Sequence, residues 1–258
     1  MKKQLFFLLA AGTLLAACGN EADTNSGTED NSYVVGIDET FAPMSFRDEK
    51  GDIVGFDVDL AAEVGEIMGV EFTFQPIDWV MKETELNAGN IDLIWNGYSI
   101  TDERKEKVAF TEPYLDNRQI IVTLAESDIQ EKADLAGVVV STQQASATLD
   151  ALNADTTGVV EKFDGGEPIL YPTFTDVFND LDSKRSAAIV VDEVLGRYIM
   201  GQKGAEKYRV LEDNFGEEQY GVGVRKDDTE LLADLNEALE EIKNNGSYDE
   251  IYAEWFAE

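Results

Sequence analysis

Short apolar, β-rich runs alternate with helical segments through residues 33–258, and this alternation limits the chain to a small group of folds. The predicted strands are rich in Val, Ile, Phe and Tyr, and lie at 33–37, 70–74, 91–95, 138–140, 159–163, 187–191 and 220–224. The predicted helices have amphipathic patterns, and lie at 57–68 (with Asp57 as cap), 80–88, 146–152, 173–181 and 227–245, with two more beginning at 192 and 247. The pattern predicts two α/β sets, each with a parallel sheet covered by helices.

Polar residues lie just beyond several predicted strands, at the edge where sheets of this kind bind ligands. The candidate positions are 38–41, 96–99, 143–147 and Asp192. A carboxylate at Asp192 can receive an ammonium group, but Asp is also a favoured helix N-cap. The same two readings apply to Asp38, which follows the first strand.

Arg104 and several aromatic residues are further candidates. Arg104 lies in the first turn of a predicted helix after Thr101, where a guanidinium can hold a carboxylate through two hydrogen bonds, or can simply be a solvated surface group. Four aromatic residues lie near the strand ends and either stack on a ligand or belong to the core, namely Phe41, Trp79, Trp95 and Tyr98.

Charge and residue counts exclude several classes of function. The chain has 20 Lys and Arg against 53 Asp and Glu, a formal net charge of −33, which argues against a nucleic-acid binder and a polybasic membrane patch. It has no histidine, which excludes Ser-His-Asp triads and His-based zinc sites. Its single cysteine excludes an intrachain disulfide. These counts leave carboxylate-only catalysis and a magnesium site open, and our prediction is that the protein has no metal ion and no cofactor.

The N-terminal segment has the layout of a secretory signal peptide. Two lysines precede an apolar stretch at 5–17, which is too short to cross a bilayer comfortably. Leu-Ala-Ala-Cys at 15–18 resembles the lipobox of bacterial lipoproteins, which implies cleavage before Cys18 and lipid attachment to its thiol. We therefore expect a signal peptide at 1–17, a flexible tether at 18–32, and anchoring to the extracytoplasmic face of the cell membrane. A plain secreted chain is the alternative.

Short motifs along residues 33–258 together resemble one family. They are Gly36-Ile37-Asp38 with Phe41-Ala42-Pro43, Gly55-Phe56-Asp57-Val58-Asp59-Leu60-Ala61, Leu86-Asn87-Ala88-Gly89-Asn90-Ile91-Asp92, Gly97-Tyr98-Ser99-Ile100-Thr101 with Arg104, Phe110-Thr111-Glu112-Pro113-Tyr114, and Gly246-Ser247-Tyr248. The chain resembles the polar amino-acid-binding lipoproteins of bacterial ABC importers, solute-binding protein family 3. The resemblance implies an α/β type II periplasmic-binding-protein fold with two lobes, each a sheet flanked by helices, joined by two hinge strands. Lobe 1 would comprise 33–116 plus 220–258, and lobe 2 would comprise 117–219.

The resemblance also implies the contacts of an amino-acid ligand, at Asp38, Phe41, Trp79, Asn96, Gly97, Ser99, Arg104, Ala147 and Asp192. Arg104 would hold the α-carboxylate with the Ser99 N–H. Asp192 would take the α-ammonium with the Ser99 hydroxyl and the Gly97 carbonyl. Phe41 and Trp79 would enclose the ligand side chain.

The remaining matched positions would contact other parts of the ligand. Asp38 and Asn96 would contact the polar end of its side chain. The family's Gly-Ser-Ser/Thr loop stands here as Ala-Ser-Ala at 145–147, so Ala147 offers a backbone N–H but no hydroxyl.

The function that the resemblance implies is binding, not catalysis. The protein would capture a polar L-amino acid, basic or glutamine-like, and deliver it as a monomer to an ABC permease and its ATPase. Two alternatives remain open at this point. One is an amino-acid-sensing or surface lipoprotein without transport, and the other is a dehydratase built on the same fold.

Overall fold

The computed structural model of the protein describes residues 31–256. The predictions of a signal peptide, of a lipid on Cys18 and of most of the tether lie outside the described residues. Within them, the first strand begins at Ser32, one residue earlier than the sequence pattern indicates.

The described chain contains thirteen strands and eight α-helices. The strands are β1 Ser32–Ile37, β2 Thr40–Phe41, β3 Ser45–Arg47, β4 Ile53–Val54, β5 Glu71–Pro76, β6 Leu93–Ile94, β7 Ala109–Phe110, β8 Leu115–Leu124, β9 Val140–Gln143, β10 Ile169–Tyr171, β11 Ala188–Asp192, β12 Tyr208–Tyr220 and β13 Gly223–Val224. The helices are α1 Phe56–Met68, α2 Lys82–Ala88, α3 Asp102–Lys107, α4 Ala147–Asn153, α5 Phe174–Asp182, α6 Glu193–Lys203, α7 Thr229–Asn245 and α8 Ser247–Phe256.

Two five-stranded sheets form the framework. The first has the strand order β5-β1-β6-β13-β7, and the second has the order β10-β9-β11-β8-β12. In each sheet three strands are parallel and the other two join in antiparallel pairings. The mixed sheets therefore depart from the purely parallel arrangement that the alternation pattern predicts.

The long strands β8 and β12 carry the chain between the two sheets. They pair in antiparallel register along the second sheet, from Tyr208 opposite Leu124 to Tyr220 opposite Leu115. The chain returns to the first sheet at β13. The predicted lobe limits, between 116 and 117 and between 219 and 220, fall on β8 and β12, and the division into lobes stays a prediction.

Helix α1 shows how local sequence sets the framework. Its apolar residues lie on one face at helical spacing and are buried, namely Phe56, Leu60, Ala61 and Val64. It ends at Gly69, whose φ of 68° lies in the left-handed region that glycine adopts without strain. The ring of Phe56 packs against α8, with its centre 4.9 Å from that of Phe256. No described helix is both long enough and apolar enough to cross a membrane.

Three sequence-based assignments are wrong in detail. Residues 159–163 do not form a strand, because Val160–Lys162 is a turn of 3-10 helix. The strand predicted at 138–140 begins only at Val140 and continues to Gln143. Asp57 is not the cap of α1, because Gly55 holds that position and the Asp57 side chain is buried inside the first turn.

Candidate functional site

The carboxyl ends of four strands meet where the two sheets face each other. Asp38 follows β1, Asn96 follows β6, Gln143 ends β9 and Asp192 ends β11. All four side chains are buried, although all are polar. Buried polar groups are costly unless they have partners, so their concentration at one edge marks a candidate binding site.

Arg104 forms the positive side of this site. Its side chain is 3% exposed and is positioned by α3, whose N-cap Thr101 accepts a hydrogen bond from the Arg104 N–H (3.2 Å). Its Nη1 donates to the Ser99 carbonyl (3.1 Å), and its guanidinium carbon lies 4.6 Å from the centre of the Tyr98 ring. No carboxylate of residues 31–256 forms an ion pair with Arg104 within 4.0 Å. A buried guanidinium without an anionic partner is suited to a carboxylate ligand.

Lys82 is a second buried cation that the sequence analysis did not single out. Its Nζ donates to the carbonyls of Trp79 (3.2 Å) and Ala145 (3.0 Å), and lies 3.4 Å from the Glu83 carboxylate. Burial, and then repulsion by Arg104, lowers the pKa of Lys82 to about 8. The two cations are therefore close enough to repel each other, and Lys82 also links α2 to the segment before α4.

The predicted backbone site at Ala147 lies beside this link. Ser146 caps α4, since its hydroxyl accepts from the Leu149 N–H (3.1 Å) and donates to the Gln143 carbonyl (2.7 Å). Ala145 adopts φ 52°, a left-handed conformation that costs an alanine about 1 kcal/mol or more. The cap and the turn hold Ala147, which is buried, at the first position of the helix.

Asp192 forms the negative side of the site. Its Oδ1 accepts hydrogen bonds from the Asn117 amide (2.6 Å), the Tyr220 hydroxyl (2.8 Å) and the Gln119 amide (3.2 Å). Its side chain makes no capping bond to α6, so the N-cap alternative does not explain its position. Burial, and then the neighbouring Glu218 carboxylate, raises the pKa of Asp192 well above its usual range.

Ser99 connects the two sides. Its carbonyl accepts from Arg104, and its hydroxyl donates to Glu218 Oε1 (2.8 Å). Its backbone forms an isolated antiparallel bridge with Tyr220. The predicted residues Ser99, Arg104 and Asp192 are thus brought into one network, which includes the unpredicted Glu218.

Asp38 is bonded to the opposite sheet through Gln143. Its Oδ1 accepts from the N–H (2.9 Å) and the hydroxyl (2.7 Å) of Thr40, and its Oδ2 accepts from Gln143 Nε2 (2.9 Å). Gln143 Nε2 also donates to the Pro172 carbonyl (2.9 Å), and no hydrogen bond within the described chain involves Gln143 Oε1. Gln143 lies in the predicted segment 143–147 but was not among the predicted ligand contacts.

The four aromatic candidates separate into two pairs. Trp95 and Tyr98 are fully buried, as the core interpretation requires. Phe41 has its ring centre 5.9 Å from that of Phe174 on the second sheet's side, and Trp79 meets the Tyr98 ring edge-on at 5.9 Å. Among the described residues, no ring contact joins Phe41 to Trp79, which is consistent with two rings that flank a ligand side chain.

Asn96 and Gly97, two further predicted contacts, lie just after β6. Asn96 Oδ1 accepts from the Ser45 hydroxyl, whereas its buried Nδ2 has no partner within the described residues. Gly97 has φ 53°, and a Cβ at this position would lie 2.7 Å from Phe41 Cε1. Glycine is therefore required here, and the Gly97 N–H donates to Asp57 Oδ2 (2.7 Å).

Asp57 should make the stability of the protein depend on pH. Burial raises the pKa of its carboxyl to about 7, from 3.8 in an unfolded chain, although the Gly97 N–H opposes the shift. The folded state then binds more protons than the unfolded state between these pH values, so the free energy of unfolding should fall as the pH rises from about 4 to 7, by at least about 1 kcal/mol. When measured by urea unfolding across this pH range, the free energy of unfolding should fall less in Asp57→Asn than in the wild-type protein. An equal fall in both proteins would contradict a proton on folded Asp57.

Two α/β sheets that share a buried site, with a cation on one side and carboxylates on the other, form the architecture of the periplasmic solute-binding proteins. Within this class, the chain belongs to the bacterial extracellular solute-binding proteins, family 3, whose model matches residues 33–258. This confirms the resemblance and the type II periplasmic-binding-protein fold.

Individual relatives are similar over most of the chain. The lysine/arginine/ornithine-binding periplasmic protein of Escherichia coli (strain K12) is 33% identical over 229 residues, which are 86% of this chain and 86% of the relative. The structure of an ABC uptake transporter substrate binding protein from Streptococcus pneumoniae with bound histidine is 38% identical, covers 88% of this chain and 93% of its own, and has a TM-score of 0.86. An ancestral amino acid-binding protein, a precursor of cyclohexadienyl dehydratase, is 30% identical, covers 89% and 97%, and has a TM-score of 0.80.

Proposed function

We propose that this protein captures a polar L-amino acid, basic or glutamine-like, between its two sheets for import by an ABC permease and its ATPase. The observation that supports the proposal is the separation of charge in the site. Arg104 is buried without an anionic partner, and Asp192 is buried without a cationic partner, within the described chain. A zwitterion supplies both missing charges in one molecule.

In this proposal each charge of the ligand has a named receptor. Arg104 binds the α-carboxylate through its remaining N–H groups, and Ala147 faces the same end of the ligand with its backbone. Asp192 binds the α-ammonium, with Ser99 between the two charges. Because Arg104 lies beside the first sheet and Asp192 ends a strand of the second, a bound amino acid stabilises the arrangement in which the sheets face each other.

Asp38 and Gln143 bind the distal group of the ligand side chain, and Asn96 lies nearby. Phe41 and Trp79 flank the side chain. Asp38 Oδ2 and Gln143 Oε1 both provide acceptor capacity, which suits a side chain that ends in several N–H donors. The names of two relatives fit this chemistry, since one binds lysine, arginine and ornithine and the other holds histidine.

Selectivity should therefore favour ligands with a distal donor. Arginine, lysine or glutamine should bind better than leucine or glutamate by at least ~1.5–3 kcal/mol, the usual strength of a hydrogen bond to a charged group. Leucine offers no donor, and the glutamate side chain adds a like charge beside Asp38. Competition calorimetry measures these differences, and Asp38→Asn should narrow them. Leucine or glutamate that matches the best polar ligand would contradict this specificity.

The zwitterion claim can be tested by removing one ligand charge at a time. The best amino acid of a binding screen is compared with its decarboxylated amine and with the acid that lacks its α-amino group. Each should bind at least about 30-fold more weakly, which corresponds to ~2 kcal/mol. An amine or an acid that binds as tightly as the amino acid would overturn the assignment of Arg104 or of Asp192, respectively.

A dehydratase on this fold is the alternative from another class. Its substrate would be a carboxylic acid without an ammonium group, which would leave Asp192 without a cation. We propose binding without catalysis, and incubation with prephenate-type acids tests it, since turnover would contradict the proposal. A sensing lipoprotein without transport is distinguished by whether permease and ATPase genes lie beside this gene.

Lipid attachment at Cys18 is proposed from the lipobox and predicts a clear fractionation result. Cys18→Ala should release a folded protein that still binds its ligand, because the charged segment after Cys18 has no large apolar residue to hold a membrane. Cell fractionation with immunoblotting measures this, with Ser26→Ala as a control that should stay in the membrane fraction. Fully processed Cys18→Ala protein in the membrane fraction would contradict the anchor.

A further inference from the structure

Glu218, which the sequence analysis did not single out, lies beside the proposed ammonium receptor Asp192. One amide, Asn117 Nδ2, donates to both Asp192 Oδ1 (2.6 Å) and Glu218 Oε1 (2.6 Å). The two carboxyl groups are therefore neighbours on either side of a single donor. The pairing of β8 with β12 fixes this arrangement, since Asn117 stands opposite Glu218 in the ladder.

The groups around the pair supply hydrogen bonds but no positive charge. Besides Asn117, Asp192 has Gln119 on β8 and the hydroxyl of Tyr220 on β12, and Glu218 has the Ser99 hydroxyl. Burial and both carboxyl groups raise the pKa of the Tyr220 hydroxyl well above its usual range, so Tyr220 does not become an anion at neutral pH.

The two cations on the open side of Glu218 already have carboxylate partners. The cleft on its open side is lined by the charged residues Lys105, Asp116, Arg118, Glu193 and Glu217. Of the two cations, Lys105 lies 3.4 Å from Asp102, and Arg118 pairs with Glu193 at 2.5 Å. Neither forms an ion pair with Asp192 or Glu218.

A second carboxyl group this close makes the ionisation of the buried Asp192 costly. Burial and Glu218 together raise the pKa of Asp192, as described above. Glu218 is only half-buried and borders a solvent-accessible cleft of about 650 Å³. It therefore connects the enclosed Asp192 to a route for protons.

We propose that Asp192, with the carboxyl group of Glu218 beside it, holds a proton in the empty site, and that the ligand's ammonium displaces this proton into the cleft beside Glu218. The inference rests on the proposed function, because it requires an amino acid whose ammonium docks at Asp192. The step is a proton transfer only. The O–H bond of the Asp192 carboxyl group breaks, the proton passes to water in the cleft beside Glu218, and the zwitterion keeps all of its own protons.

Displacement of a proton makes binding depend on pH in a defined way. Below the raised pKa of Asp192, protons compete with the ligand, so Kd should rise about tenfold for each unit by which the pH falls. Binding should release up to one proton per ligand in that range and less above it. L-Arginine and L-glutamine are suitable probes, because neither titrates between about pH 4 and 8.

The test is calorimetry of the full-length protein with L-arginine and L-glutamine at several pH values, each in two buffers of different ionisation enthalpy. The difference in measured heat between the buffers gives the protons released. We expect release in the wild-type protein, less release and an acid limb moved to lower pH in Glu218→Gln, and no change in Glu217→Gln. Glu217 is the matched control, since it is the adjacent exposed residue on the same strand.

The outcomes separate this inference from the proposed function. Binding of either probe with equal heats in both buffers would overturn the proton on Asp192 while leaving amino-acid capture intact. Release that is identical in wild-type and Glu218→Gln would overturn the role of Glu218. No binding of any amino acid would contradict the proposed function itself, and the inference with it. A Glu218→Gln protein with an unchanged melting temperature shows that the effect is not a folding defect.

Discussion

An Arg104→Ala variant should bind the amino acid about 2–5 kcal/mol more weakly than the wild-type protein. This corresponds to a loss of roughly 30- to 5000-fold in Kd. The reason is that the ligand's carboxylate would be enclosed without the guanidinium that is proposed to bind it. Isothermal calorimetry with the wild-type ligand measures the difference directly.

Two further variants test whether the effect of Arg104→Ala is specific to this guanidinium. Lys105→Ala removes a cation from the next residue, which is more than half exposed, and should leave Kd unchanged. Arg104→Lys keeps the charge but loses the planar fork of N–H donors, so its affinity should fall between those of the wild-type protein and Arg104→Ala. An Arg104→Ala protein that binds within twofold of wild type would remove Arg104 from the site.

Asp192→Ala should cause a loss of similar size, about 2–5 kcal/mol, at the other end of the ligand. The variant leaves the α-ammonium without its closest anion and removes the acceptor of Asn117 and Tyr220. The empty protein should lose less, because burial already disfavours the charged form of Asp192. Calorimetry for binding and denaturant unfolding of the empty protein together measure both effects.

Asp164→Ala is the matched control for this second prediction. Asp164 is an exposed carboxylate in the same half of the chain, and its removal should change neither binding nor stability. Asp192→Ala with wild-type affinity would place the ammonium elsewhere. An equal loss of stability and of affinity would show that Asp192 serves the fold and not the ligand.

Local sequence patterns predicted the parts of the site that depend on local structure. Asp38 and Asn96 follow strands and Asp192 ends one, and the order of strand and turn is visible along the chain. Arg104 was found because Thr101 caps a short helix, a signal confined to a few neighbouring residues. The pattern left the roles of these residues open, and only the resemblance to a family assigned them.

The site residues that the sequence patterns do not predict are positioned by contacts between residues far apart in the chain. Glu218 and Asn117 are 101 residues apart and meet only through the register of β8 with β12, which no local pattern reveals. A lysine in a predicted helix is usually solvated, so the sequence gives no sign that Lys82 is buried. Its Nζ donates to the carbonyl of Ala145, which lies 63 residues away in the chain. Asp57 was assigned as a cap for the same reason, since its partner Gly97 lies 40 residues further on.

The most direct test of amino-acid capture is a thermal-shift screen of the purified protein against the twenty amino acids and cystine. A ligand present at 100 times its Kd adds ~2.7 kcal/mol to the free energy of unfolding, which raises the Tm of a protein of this size by several degrees. We predict the largest rise for a basic amino acid or glutamine, and little or no rise for leucine and glutamate. A largest rise with leucine or glutamate, or no rise with any of these compounds, would contradict it.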